Sequence, residues 1–405
     1  MVAAARNRWT VVTALIGGYI GVYLCRKNLS VAVKLLQDQL HVNKAAVGAI
    51  ATFSTIAYAA GKLLLGPVID RVGGRRGFLG ALVAVAVFGA ASALSPGLGV
   101  LTLLYSANRF AGAGGWPAMM KLVPTWFSAA ETGRVTAILS LSYLAGGILA
   151  ALLAGQIAAI DHDWRAVMAF PSIVVIAIAA ACAVLVRPGP LVASEPRRRG
   201  RGSLRAFLAT LGALFARPQF IVVCLLSVTL TMVRDTFLTW GVDFVSTLQT
   251  GEKSIFAAAV SSSAFDLAGF PSILAMGYAW DLTRPAARRW LLAALLALLA
   301  VVLVILPTVG PTTAAILIFA AGLLAYGPYS LLAGTLAVST GGPALAATAS
   351  GVIDAIGYAF GALTGAPLGH LLDIGGYGLG FRSLAAVAAV SAVLALAYRE
   401  RRVDA

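Results

Sequence analysis

Long uninterrupted apolar runs constrain the fold of this chain more than any other feature of its sequence. Twelve such runs are separated by clusters of charged residues, proline or glycine, and hydrophobic residues make up 60% of the 405. A soluble domain of this size has no interior large enough to hide that much apolar surface. Because backbone groups in lipid must be hydrogen-bonded within their own segment, the runs predict an all-α membrane protein with twelve spanning helices of about 20 residues or more.

The predicted spans fall into two groups of six. They cover 9–35, 46–70, 77–95, 99–121, 131–158, 166–187, 219–246, 254–280, 288–308, 311–339, 345–371 and 379–398. The longest polar stretch, 188–218, carries four prolines and the run from Arg197 to Arg199. We therefore expect an N-terminal six-helix bundle at 1–187, a C-terminal six-helix bundle at 219–405, and between them a cytoplasmic linker at 188–218 that touches anionic lipid headgroups.

The positive charge of the chain has two possible origins. A net charge of +15 would suggest nucleic acid as a partner in a soluble protein, whereas in a membrane protein Lys and Arg collect in cytoplasmic loops. With the N-terminus inside, twenty basic residues fall in cytoplasmic segments and about five in the opposite loops. This distribution predicts a multi-pass protein of the cytoplasmic (inner) membrane with both termini in the cytoplasm, and it leaves nucleic acid binding without support.

The two groups of spans carry an internal repeat. Asp70 and Asp281 close spans 2 and 8, and their separation is 281 − 70 = 211 residues. Two further pairs share that offset, Pro117 with Pro328 and Gly146 with Gly357, and Arg26 and Arg234 lie 208 residues apart. Four matching pairs in corresponding spans predict two pseudo-symmetric six-helix bundles, with a binding site between them at mid-depth.

Charged side chains inside the predicted spans are the strongest candidates for function, because an arginine at the bilayer centre costs roughly 2.5–3.5 kcal/mol. Arg26 and Arg234 lie near the middle of spans 1 and 7, where their planar guanidinium groups fit the oxygens of phosphate or carboxylate. The alternative is that each pairs with a buried acid. Deep inside the spans lie five cations (Arg26, Lys27, Lys62, Arg109, Arg234) against three acids (Asp235, Asp266, Asp354), so the positive surplus favours an anionic ligand.

Several neighbours of these cations share a helix face with them. Tyr58 precedes Lys62 by four residues and Tyr23 precedes Arg26 by three, and a tyrosine hydroxyl can hydrogen-bond a substrate oxygen. Lys27 lies about 100° around the helix from Arg26, so it cannot share that face and is expected either to face a second helix or to snorkel towards the membrane surface. Arg109 lies in a glycine-rich stretch that allows close helix contact, which favours a structural or gating role.

Motifs along the whole chain resemble a known family. The loop Gly66-x-x-x-Asp70–Arg71-x-x-Gly74–Arg75–Arg76 resembles the signature loop of the major facilitator superfamily. More specific motifs are similar to the organophosphate:phosphate antiporter family, in particular its glycerol-3-phosphate and glucose-6-phosphate types: Tyr23-x-x-Arg26–Lys27–Asn28, Tyr58-x-x-x-Lys62, Gly115–Trp116–Pro117, Asp266–Leu267–Ala268–Gly269 with Gly277-x-x-x-Asp281, Tyr326–Gly327–Pro328 and Gly357–Tyr358.

The resemblance implies a role for each matching residue. It implies phosphate binding by Arg26 and Arg234, and places in the cavity for Tyr23, Lys27, Tyr58, Lys62, Trp116, Tyr326 and Tyr358. Asp70, Arg71, Arg75, Arg76 and Asp281 would form a cytoplasmic gating loop and its repeat counterpart, with salt bridges that break as the halves rock. Asp235, Asp266 and Asp354 are candidates for ion pairing or coupling.

Two positions depart from the family pattern. Tyr143 stands in span 5 where the glycerol-3-phosphate type has a histidine, so we expect it in the substrate cavity. Thr239 stands one turn beyond Arg234 where that type has an acid, while Asp235 is directly beside Arg234. The phosphate-binding residues are therefore retained, and the residues that tune the organic part of the substrate differ.

These observations predict a secondary transporter of phosphorylated organic anions that exchanges them for inorganic phosphate by alternating access. We expect it to need no metal or cofactor and to have no enzyme activity. One alternative is a proton-coupled symporter of sugar acids or other carboxylates, in which Asp266 or Asp354 would carry protons; Cys25 stands where that family usually has an aspartate. The other alternative is a membrane sensor of sugar phosphates. The chain has no GxxxxGK[ST] motif for an ATP-driven pump, and we expect a monomer in the lipid bilayer.

Overall fold

The structure, a computed structural model, describes residues 2–127, 129–187, 189–190, 204–249, 254–341 and 345–399, and every regular element within these ranges is a helix. The first half comprises α1 (Val2–Leu40), α2 (Lys44–Val72), α3 (Gly74–Ala93), α4 (Leu98–Gly112), α5 (Gly115–Trp126), α6 (Ala129–Asp161) and α7 (Trp164–Leu185). A short helix, α8 (Leu204–Phe215), follows. The second half comprises α9 (Pro218–Leu248), α10 (Ile255–Ser262), α11 (Ala264–Leu267), α12 (Gly269–Leu282), α13 (Pro285–Ile305), α14 (Pro311–Leu331), α15 (Ala337–Gly341), α16 (Ala346–Gly361) and α17 (Ala366–Ala395).

Within the described ranges, ten helices are long and apolar enough to cross a membrane, whereas the sequence predicted twelve spans. Two differences from the predicted spans explain the lower count. Predicted span 4 is not continuous: α4 ends at Gly112 and α5 begins at Gly115, so each piece is too short to be counted alone. Predicted spans 11 and 12 are counted as one 48-residue stretch, Thr348–Ala395. At about 20 residues per crossing this stretch is long enough for two passes, so twelve crossings result.

The chain reverses between the last two crossings at Gly376, not over a loop at 372–378 as the sequence predicted. Gly376 has φ of +63°, which glycine adopts without the steric penalty of a Cβ atom. Helical hydrogen bonding continues up to this residue and resumes after it. The broken backbone is therefore confined to one residue, and the polar segment around Asp373 stays helical.

Two other boundaries also differ from the prediction. α1 continues to Leu40, beyond the apolar run, where Lys34 and Asp38 form an exposed ion pair at 2.7 Å one turn apart. The predicted linker contains α8, and the Arg217 guanidinium just after it donates to the Thr340 carbonyl at 2.6 Å. Arg197 to Arg199 lie outside the described residues, and the limits of the two bundles stay a prediction.

The halves meet closely at the end of the molecule that carries residues 41–43, here called the α1–α2 end. The Lys44 ammonium donates to Asp243 on α9, and the backbone N–H groups of Lys44 and Ala45 donate to the Asp373 carboxylate at 2.9 Å each. Further along α2, the Thr52 hydroxyl donates to the Ala362 carbonyl at 2.9 Å. The structure is thus closed at the α1–α2 end by polar contacts between α2 and the second half.

Candidate functional site

Arg26 lies at the centre of the interface between the halves and is surrounded by tyrosines. Its guanidinium carbon is 5.1 Å from the centre of the Tyr23 ring, 4.6 Å from Tyr58 and 5.8 Å from Tyr358. The Tyr58 and Tyr358 rings themselves meet edge to face across the two halves, with centres 4.7 Å apart. A desolvated cation gains about 2 kcal/mol from such a ring. The aromatic cluster thus holds a buried charge in place without neutralising it.

Arg234 occupies the matching position in the second half. Its guanidinium carbon is 3.9 Å from the centre of the Tyr329 ring and 5.1 Å from that of Tyr326, and both tyrosines are on α14. The Tyr329 hydroxyl lies 3.5 Å from that of Tyr358, so the aromatic surroundings of Arg234 adjoin those of Arg26. The sequence analysis missed Tyr329, although its position three residues after Tyr326 puts both on one helix face.

The structure pairs Lys27 with Asp266, which lies 239 residues away on α11. The Tyr326 hydroxyl also donates to the Asp266 carboxylate. Lys27 is therefore neutralised and points away from the face of α1 that carries Arg26, as the helical spacing predicted. The contact joins α1 in the first half to α11 and α14 in the second.

The structure pairs Lys62 with Asp354, and this contact also crosses between the halves. The lysine nitrogen is 3.2 Å from a carboxylate oxygen of Asp354 on α16, and it lies 5.5 Å from the centre of the Tyr58 ring. Both charged side chains are about one-sixth exposed, at 16% and 17%. Tyr58 therefore lies between Lys62 and Arg26, which makes Lys62 a neighbour of the arginine cluster.

Most of the central positive charge remains uncompensated after these two ion pairs. The ion pairs among the described residues include none of Arg26, Arg109, Arg234 and Asp235. Three arginines against one carboxylate leave a net charge of +2 in the interior. Nε of Arg26 and Nε and Nη1 of Arg234 also lack a hydrogen-bond partner in the structure. Buried donors and charges of this kind are costly unless a ligand or water satisfies them.

Arg109 belongs to this central group, although the sequence favoured a structural or gating role for it. Its side chain is buried, and its guanidinium carbon is 4.6 Å from the centre of the Tyr58 ring, the same distance as that of Arg26. Tyr58 on α2 thus contacts cations from α1 and α4. A basic residue inside an apolar helix was the only sequence signal for its position.

The remaining predicted cavity residues lie at different distances from the arginines. Tyr143 on α6 lies between Tyr23 and Tyr326, with ring centres 6.4 Å and 6.5 Å away, so it closes the aromatic set between the halves. Trp116 on α5 contacts Tyr19, with ring centres 5.6 Å apart, and is one aromatic layer further from Arg26. Its part in a substrate site stays a prediction.

The predicted gating loop lies at the end opposite residues 41–43, far from the arginines. Asp70 forms an ion pair with Lys121 at 2.7 Å, and the Arg75 guanidinium donates to the carbonyls of Val186 and Ala183 at 2.6 and 2.7 Å. These contacts fasten α2 and α3 to their neighbours within the first half. Side chains exposed at the same end include Arg71, Arg76 and Asp281, and their gating role stays a prediction.

No group of three or more His, Cys, Asp or Glu side chains in the described ranges could hold a metal ion.

The fold and the site together define a polytopic membrane protein whose charged centre lies between two six-helix halves. The family model described as Major Facilitator Superfamily matches residues 15–359, most of the chain. The protein belongs to the Major Facilitator Superfamily.

Its relatives include two bacterial proteins that match over nearly their whole length. The glycerol-3-phosphate transporter of Bacillus subtilis is 29% identical over 397 residues, covering 92% of this chain and 87% of that protein. The membrane sensor protein UhpC of Salmonella typhimurium is 25% identical over 399 residues, covering 94% and 89%. These relatives confirm the resemblance to the organophosphate:phosphate antiporter family that the motifs indicate.

A solved structure confirms the fold independently. A bacterial homologue of the human lysosomal transporter Spinster, in an inward-facing and occupied conformation, superposes with a TM-score of 0.76 at 17% identity, covering 96% of each chain. At that level of identity the likeness concerns the fold alone.

Proposed function

We propose that the protein is a secondary active transporter of phosphorylated organic anions, of the glycerol 3-phosphate or sugar phosphate class, which it exchanges for inorganic phosphate. The observation that carries this proposal is the net charge of +2 at the centre, where Arg26, Arg109 and Arg234 face a single unpaired carboxylate. A phosphate monoester carries about −1.5 to −2 at neutral pH, so one substrate molecule with an uncharged organic part balances the site. The transporter named among the relatives supports the same substrate class.

The position of the arginines supports alternating access as the mechanism. Arg26 is on α1 in the first half and Arg234 is on α9 in the second half, so a phosphoryl group between them draws the halves together. Guanidinium groups can each bind phosphate oxygens bidentately. The unpartnered nitrogens of both arginines provide the donors. Phosphate binding would thus stabilise the arrangement in which the centre is occluded.

The same charges account for exchange. Without an anion, cations from opposite halves repel one another when the centre closes, and the carrier returns most readily when it is loaded with phosphate or another anion. In the cytoplasmic membrane, with both termini inside, the α1–α2 end faces out. The structure would then show the carrier closed to the outside. All residues of the proposed site come from one chain, so we expect the protein to transport as a monomer.

Proteoliposomes loaded with unlabelled phosphate test the proposal through uptake of labelled phosphate and labelled glycerol 3-phosphate or glucose 6-phosphate. Arg26→Lys and Arg234→Lys keep the charge but remove the forked donor set, and we expect phosphate self-exchange to fall to the background of empty liposomes. Arg382→Lys, a matched change at an exposed arginine on α17, should exchange at the wild-type rate. Wild-type protein that exchanges no phosphate would refute the proposal.

A sensor function is the second candidate, because the sensor protein UhpC matches 94% of this chain. A sensor that binds sugar phosphate without moving it would show saturable binding but no uptake in the same liposomes. The carboxylate symporter gives a third pattern, in which uptake of a sugar acid needs a pH gradient and no internal phosphate. Binding of phosphate to purified protein, measured beside uptake, separates all three outcomes.

A further inference from the structure

A small cavity adjoins Arg26 on the side that faces the α1–α2 end. Its lining includes the charged side chains of Arg26, Arg109 and Asp235 and the hydroxyl-bearing residues Ser54 and Thr55. Residues of α1, α2, α4 and α9 therefore surround it, which brings both halves to one cavity wall. The two guanidiniums belong to the first half and the carboxylate belongs to the second.

The three charged groups of this cavity are buried, and each has a polar atom without a hydrogen-bond partner. Arg26, Arg109 and Asp235 are 5%, 4% and 3% exposed. Nε of Arg26, Nη1 of Arg109 and Oδ2 of Asp235 have no hydrogen-bond partner in the structure, and no salt bridge among the described residues contains any of the three. Asp235 nevertheless interacts electrostatically with both arginines. Among the described residues it is also the one central carboxylate that no lysine neutralises, since Lys27 and Lys62 pair with Asp266 and Asp354.

We propose that Asp235 is a resident counter-anion for Arg26 and Arg109, and that it sets how strictly this carrier is coupled to exchange. With Asp235 the empty centre carries +2, and without it the empty centre would carry +3. A carboxylate on α9 that attracts cations on α1 and α4 offsets part of the repulsion that opposes closure of the empty carrier. Asp235 therefore permits the empty carrier to return slowly. A carrier whose arginines faced each other without this carboxylate would return only when loaded. This inference rests on the proposed exchange of phosphate.

Replacing Asp235 by asparagine should separate two rates. Net efflux of phosphate requires the empty carrier to return, whereas exchange requires only loaded carriers to move. We expect Asp235→Asn to lower net efflux at least about tenfold relative to exchange, equivalent to about 1.4 kcal/mol. Opposite charges in a buried site attract one another strongly enough for an effect of this size.

The experiment uses proteoliposomes loaded with labelled inorganic phosphate, with the membrane potential held constant by potassium and valinomycin. Efflux is measured into medium with phosphate, which reports exchange, and into medium without it, which reports net transport. Asp161→Asn, at the exposed end of α6, is the matched control and should change neither rate. The double variant Asp235→Asn with Arg109→Gln restores the empty-centre charge of +2 and should recover net efflux.

The outcomes discriminate between the inference and the proposed function. Wild-type protein without exchange refutes the proposed function. Wild-type exchange with undiminished net efflux in Asp235→Asn refutes the counter-anion role. If Asp235→Asn loses both rates, recovery of net efflux in the double variant supports the charge argument, and failure to recover overturns it.

Discussion

Replacement of Lys44 by methionine should open the α1–α2 end of the protein. Lys44 donates to Asp243, whose side chain is 2% exposed and also accepts the Tyr377 hydroxyl. The lysine nitrogen is 4.8 Å from the centre of the Tyr377 ring. In the closed form, methionine would leave the Asp243 carboxylate buried without its cation. When this end opens, the carboxylate reaches water, and the penalty disappears. The variant therefore destabilises the closed form selectively.

The magnitude follows from the burial of the pair. Removal of one partner of a buried ion pair costs about 3–5 kcal/mol, and the lower limit applies here because the Lys44 side chain is 18% exposed. About 3 kcal/mol changes the ratio of closed to open forms roughly 140-fold. A carrier that is closed in about 99% of molecules would then be open in roughly 60%.

Spin labels at Gln39 and His370, both exposed at this end, report the distance between α1 and the second half by pulsed electron resonance. The three native cysteines are buried, so labelling is confined to the introduced sites. Lys34→Met, which removes an exposed ion pair worth about 0.3–0.5 kcal/mol, should leave the distance distribution as in wild type. An unchanged distribution in Lys44→Met would show that this pair does not hold the end closed.

Three further predictions concern the centre of the protein. The charge swap of Lys62→Asp with Asp354→Lys should recover at least half of the phosphate exchange that each single change abolishes, because the 3.2 Å pair is restored in reverse; a double variant as inactive as the singles would contradict this. Tyr329→Leu should lower the melting temperature of the detergent-purified protein, since the ring 3.9 Å from Arg234 contributes about 2 kcal/mol. Tyr329→Phe keeps the ring and should keep the wild-type melting temperature, so equal melting temperatures for the two variants would oppose a cation–π role. Tyr143→Ala should lower the KM for glucose 6-phosphate several-fold relative to glycerol 3-phosphate in competition assays, because Tyr143 fills the space between Tyr23 and Tyr326; an unchanged ratio would place the organic part of the substrate elsewhere.

The helical class, the two related halves and the central arginines could all be predicted from the order of residues along the chain. Each depends on local properties: apolar run length, the offset between repeated residues, and the cost of a charge inside a membrane. The motifs also indicated the superfamily. Local properties likewise put Lys27 on a different helix face from Arg26, and the structure agrees.

Only the tertiary structure decided which of the five interior cations are neutralised. Lys27 pairs with Asp266 across 239 residues of sequence, and Lys62 pairs with Asp354 across 292 residues. No local spacing in the sequence relates such partners. Helical periodicity defines which face of its own helix a residue occupies, but the opposing helix is determined by packing between the halves. The uncompensated group of Arg26, Arg109, Arg234 and Asp235 therefore emerged only from the folded arrangement, because a charge balance depends on distances in space.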